Sequence, residues 1–124
     1  MAYIAFLVDN YFEQVELTGP RERLQAQGHT TALISTQHRT LQGLNHVDMA
    51  DQFQADLMLS DADEKDFDAL VLPGGTVNSD ALRMSPDAQA FVKRVADAPK
   101  PIAAICHAPW LLISSGLARR RTLT

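Results

Sequence analysis

Four short apolar runs punctuate the chain: YIAFLV at 3–8, TTALIS at 30–35, ALVL at 69–72 and IAAI at 102–105. None has the regular polar alternation of a strand with one wet face. Strands of this kind are buried on both sides, which requires helices above and below a mainly parallel sheet. Because the runs are separated by helical or turn-rich segments, the chain is predicted to be an α/β domain. At 124 residues it has the length of one such domain, and residues 1–124 are read as a single unit with no linker or internal repeat.

The intervening segments differ in clarity. Residues 86–97 form the strongest helical pattern: Ser85 suits the N-cap, Pro86 the first turn, and Ala88, Phe91, Val92, Val95 and Ala96 fall on one stripe. Residues 13–27 are helical in composition and stop at Gly28, with Pro20 expected to kink the helix or to begin a second segment. Residues 36–54 are polar, contain Gly43 and Asn45, and suit a hairpin or an irregular excursion, while 55–59 suit a short strand. Residues 108–115 are expected to form an apolar helix that Gly116 closes. The acidic stretch Asp61, Asp63, Glu64, Asp66 and Asp68 lacks the glycine and terminal glutamate of a calcium loop and is read as a solvated turn.

Composition removes several functional classes. A net charge of −4 offers no electrostatic attraction to nucleic acid or anionic lipid, and the run Arg119, Arg120, Arg121 is read as solvated charge near the chain end. The apolar start, residues 1–8, lacks a basic leader and meets Asp9 and Asn10, so neither a signal peptide nor a membrane span is expected. One cysteine cannot close an internal disulfide, which makes a reducing, cytoplasmic setting the expectation. His29, His38 and His46 show no ligand spacing, and no metal site is expected.

Chemistry is expected at the end of the last apolar run. Cys106 stands where a buried strand meets a helix, at the carboxyl edge of the sheet, where open α/β folds bind their ligands. Helix N-terminal amides facing the sulfur would favour the thiolate, as at a nucleophile elbow. A small buried hydrophobe is the plainer reading of a lone cysteine. Gly74 and Gly75 end another strand, where they either permit close backbone approach and supply an amide to an oxyanion or simply leave the strand. Glu13 and Glu16 follow the first strand. Glu13 is read as an ordinary acidic residue of a first helical turn, whereas a carboxyl at Glu16 beside a thiol would tend to keep its proton and donate a hydrogen bond.

Three stretches, FEQVEL at 12–17, ALVLPGG at 69–75 and AAICHAPWLL at 103–112, together with GLNH at 43–46, resemble the signature segments of the PfpI family of the DJ-one superfamily. The resemblance runs along the whole chain. It implies a flavodoxin-like three-layer sandwich with a nucleophile elbow, related to class I glutamine amidotransferases. It also implies that Cys106 is the nucleophile, Glu16 the carboxylic acid bonded to it, and His107 the base or triad member. The amides of Gly75 and His107 would bind the oxyanion. No cofactor is implied. A homo-oligomer is, in which a neighbouring subunit can complete the triad. Position 108, usually glycine in the family, is alanine here, and family domains continue through further strands and a helix that would follow Thr124.

Family members are described as intracellular cysteine peptidases, as cofactor-independent glyoxalases and as deglycases. The expectation favoured is a stress-protective cysteine enzyme acting on small aldehydes or glycated adducts. Two other readings stay open: a non-enzymatic sensor in which Cys106 is oxidised, and an inactive, shortened relative.

Overall fold

The computed structural model describes residues 1–98 and 100–105. Cys106, His107, the helix expected at 108–115 and the arginines at 119–121 therefore lie outside the described residues.

The first apolar run is β1 (Tyr3–Val8), and it is central. A two-residue β2 (Phe12–Glu13) leads into α1 (Gln14–Ala26), then β3 (Thr30–Ser35), β4 (Thr40–Asn45), β5 (Asp48–Gln54) and the short β6 (Leu57–Met58). Two 3-10 turns precede β7 (Ala69–Leu72), which is followed by α2 (Thr76–Arg83), α3 (Pro86–Asp97) and β8 (Ile102–Ala104). The main sheet has the order β6-β3-β1-β7-β8, and every pair in it is parallel. After β1 the chain pairs β3 on one side and later returns to place β7 on the other, so the topological switch point lies between β1 and β7.

Alternate residues of the strands feed two cores. Ala5, Leu7, Ala32, Ile34, Leu70 and Leu72 pack with Leu82 of α2 and with Phe91, Val92 and Val95 of α3. On the opposite face Ile4, Phe6, Val8, Leu33 and Val71 pack with Phe12, with Leu17 of α1 and with Leu41 of β4. This is the mainly parallel α/β arrangement that the apolar runs predict and the flavodoxin-like sandwich that the resemblance implies. The stripe of α3 is buried as spaced, and Ser85 Oγ accepts the Ala88 N–H at 3.2 Å to cap it.

Four local expectations need correction or refinement. Pro20 neither breaks α1 nor begins a new helix; it sits inside a continuous element, where the preceding Gly19 offers no Cβ to the pyrrolidine ring. Glu13 is not in a helical turn: it ends β2 and is the N-cap of α1. The strand expected over 55–59 shortens to Leu57–Met58 because Asp56 terminates the pairing, its N–H donating to Leu33 O at 2.8 Å while its Oδ2 accepts from Leu33 N at 2.7 Å. The fourth concerns α2, which no apolar stripe announces since its buried face is Asn78, Ser79 and Leu82. The open choice at 36–54 resolves as a hairpin, β4 antiparallel to β5, joined to β2 in a small second sheet.

No helix among the described residues is long and apolar enough to cross a membrane.

Candidate functional site at the carboxyl edge of the sheet

β1 and β7 both end in polar turns at the switch point, and the two turns touch. Gly75 adopts φ +102°, a backbone that L side chains rarely take, and a Cβ built there would lie 2.8 Å from Glu13 N and 3.2 Å from Tyr11 O. The close approach foreseen for the glycine pair is thus an approach to the chain's own 11–13 segment. That segment is itself unusual, with Tyr11 at φ 65° and its N–H donated to Gln42 O at 2.8 Å. Glu13 N donates to Gly74 O at 3.1 Å, which joins the turn after β1 to the turn after β7.

Glu16 lies in the first turn of α1, and its Oε1 accepts the Gly74 N–H at 2.8 Å. Glu13 turns the other way, and both of its carboxylate oxygens accept from the His46 N–H, at 3.1 and 3.2 Å. It ties α1's entry to the tip of the β4–β5 hairpin. Gln14 makes a second tie, donating from Nε2 to Asp51 Oδ2 and accepting from Asp51 N at Oε1, both at 2.8 Å. These paired bonds hold the hairpin beside the turn, and an open cleft of about 720 Å³ lies there, lined by Glu13 and His46 among others. Glu16 and Gly75 both line it, with Val15, Leu44, Val47 and Val77 supplying apolar wall.

A residue that no motif singles out ties the end of β1 to the turn after β7. The fully buried Asn78 accepts the Asp9 N–H at 2.6 Å and donates from Nδ2 to Pro73 O at 2.9 Å and Gly74 O at 3.2 Å. An asparagine in a short polar helix carries no sequence signal for this role, and only the burial reveals it.

On the far side, β8 follows β7 in register, Leu72 opposite Ala104, and Ile105 N donates to Leu72 O at 3.1 Å. The described chain therefore reaches the level at which β7 gives way to Pro73. Of the four residues expected to form the site, Glu16 and Gly75 share one cleft, while Cys106 and His107 fall outside the described residues. His29 and His38 are not among its lining residues, and His46 meets it at the hairpin tip. Among the described residues, no group of three or more histidine, cysteine or carboxylate side chains is arranged to hold a metal ion.

Comparison with known proteins places the chain in context. The family model described as "DJ-1/PfpI family" matches residues 2–124. The Pyrococcus horikoshii protein named Deglycase PH1704 is 36% identical over 118 residues, covering 95% of this chain and 68% of its own length. Protein/nucleic acid deglycase 2 of Escherichia coli is 34% identical over 122 residues, covering 98% of this chain and 69% of its own. Among solved structures, a two-domain Anabaena variabilis protein with DJ-1/ThiJ/PfpI-like and ferritin-like domains superposes with a TM-score of 0.87 at 28% identity, over 96% of this chain and 33% of that one.

Proposed function

The chain belongs to the DJ-1/PfpI family, and on that premise we propose that it is a cysteine-dependent hydrolase of small reactive carbonyls or of their early adducts with amines. The observation that carries this reading is the meeting of Glu16 and Gly75 in one cleft at the switch point, joined through Gly74. Ile105, the residue that precedes Cys106 in the sequence, donates its N–H to Leu72 O at 3.1 Å, at the end of β7.

In the proposed reaction the Cys106 thiolate adds to an electrophilic carbon. The oxygen on that carbon takes the negative charge and is held by the amides of Gly75 and His107. Glu16 and His107 move the protons. For a glyoxal-type adduct the net change is the addition of one water: the amine leaves, and the dicarbonyl leaves as a 2-hydroxy acid. One carbon is oxidised and its neighbour reduced, so no external oxidant or cofactor is required. The cleft volume lies in the range of small-molecule sites, roughly 300–1,000 Å³, which favours an aldehyde or a side-chain adduct over an extended peptide. The relatives named as deglycases support the same choice.

A cytoplasmic setting and a homo-oligomer complete the proposal. The exposure of Val15, Val47 and Met49 around the hairpin favours association, since exposed apolar clusters mark contact surfaces. Sedimentation showing a monomer at micromolar concentration would remove the oligomer.

The deciding experiment is consumption of methylglyoxal and of a glycated model amine by the wild-type protein beside C106A. Turnover that disappears in the variant supports the hydrolase, and full activity in the variant overturns it. Selective peroxide oxidation of Cys106 without any turnover would replace the enzyme with a redox sensor.

A further inference from the structure

The Asn78 side chain grips two successive peptide units. Its Nδ2 holds the carbonyl of the Pro73–Gly74 peptide at 2.9 Å and that of the Gly74–Gly75 peptide at 3.2 Å, while its Oδ1 is anchored by the Asp9 N–H at the end of β1. In a trans peptide the N–H points away from the carbonyl. Holding both carbonyls therefore aims both N–H groups. The first is the Gly74 N–H, which meets Glu16 Oε1. The second is the Gly75 N–H, directed away from the side on which Asn78 and Glu13 N hold Gly74 O. Asn78 is fully buried, so no water competes for these bonds.

We propose that Asn78 is a positioning residue: it sets the Pro73–Gly75 turn so that one amide orients Glu16 and the next is presented to the oxyanion. The inference rests on the hydrolase reading for its catalytic consequence, but the geometry of the turn can be tested without substrate.

N78D is the informative variant. It keeps the shape and the acceptor toward Asp9 N, but when ionised it sets a carboxylate oxygen against two carbonyls. Amide hydrogen exchange is read first. The Gly74 N–H is expected to exchange at least tenfold faster in N78D at pH 8, with the amides of β1 and α3 unchanged. Steady-state kinetics with methylglyoxal come second: kcat is expected to fall about 10- to 100-fold with KM within about threefold. The ratio of variant to wild-type kcat should climb as pH falls and the introduced carboxyl regains a proton to donate. A merely structural asparagine would move neither the KM-against-kcat split nor the pH profile. Wild-type exchange at Gly74, or wild-type kcat in folded N78D, overturns the proposal. If the wild type shows no turnover but Gly74 exchange still rises in N78D, the hydrolase reading fails and the positioning role stands. Should N78D not fold, N78S, which keeps one donor and one acceptor in less volume, carries the same two readouts.

Discussion

Glu16 reaches across from α1 to take the Gly74 N–H at 2.8 Å, so a helix that follows one strand of the switch point is pinned to the turn that follows the other. The bond fixes a carboxyl group in the cleft. A change of residue here therefore separates geometry from chemistry.

E16Q retains an acceptor for Gly74 N but cannot exchange a proton. Its melting temperature is expected to stay within about 2 °C of wild type, consistent with loss of no more than a fraction of a hydrogen bond, while kcat for methylglyoxal falls about 100-fold. E16A should lose both. Calorimetry with steady-state kinetics distinguishes the two variants, and equal activity of E16Q and wild type would remove Glu16 from proton transfer.

G75A meets two penalties together: a left-handed φ of +102° and a Cβ 2.8 Å from Glu13 N. The neighbouring atoms are backbone and cannot swing aside. A loss of about 2–4 kcal/mol is expected in urea denaturation, combining backbone strain of about 1–3 kcal/mol with displacement of the 11–13 segment. Replacement of Gly28, which is also at positive φ but has nothing within 4 Å of its built Cβ, should cost less.

Q14A cuts the exposed two-bond clamp that ties the start of α1 to Asp51 of β5. Because the groups can turn to water, stability should change by less than about 1 kcal/mol. The β4–β5 hairpin is expected to exchange its amide hydrogens faster and KM to rise severalfold. Unchanged exchange over residues 48–54 would show that the remaining ties, such as Glu13 to His46 N, hold the hairpin alone.

F91A tests the α3 core independently of the site. Phe91 is fully buried and its ring centroid lies 6.5 Å from that of Phe67. Truncation should cost about 3–5 kcal/mol by denaturation, with KM unaltered in the fraction that remains folded.

Legibility in the sequence followed the physics of each element. β1, β3, β7 and α3 were readable since burial on two faces, or on one helical stripe, leaves an apolar pattern in the residues themselves. α2 was not, because its inner face carries Asn78 and Ser79 beside Leu82, and Asn78 is buried to hydrogen-bond a turn that only tertiary structure creates. Glu13 was misread for a related reason: a carboxylate before a helix has the same local signature whether it begins the first turn or reaches 33 residues along the chain to His46 N. Glu16 and Gly75 are legible from their places after strand ends and from the resemblance, and the cleft they share follows from the strand order, which no local pattern encodes.

The way Asp56 ends β6 bears on how the protein behaves when crowded. A sheet edge is ordinarily an open row of donors and acceptors on which a foreign strand can grow. Here the edge strand is two residues long, and the carboxylate just before it occupies the Leu33 N–H that a longer strand would have paired. A prospective fibril partner meets a charge instead of a template. Substituting D56V would extend the apolar edge, and the visible result should be turbidity on concentration or mild heating.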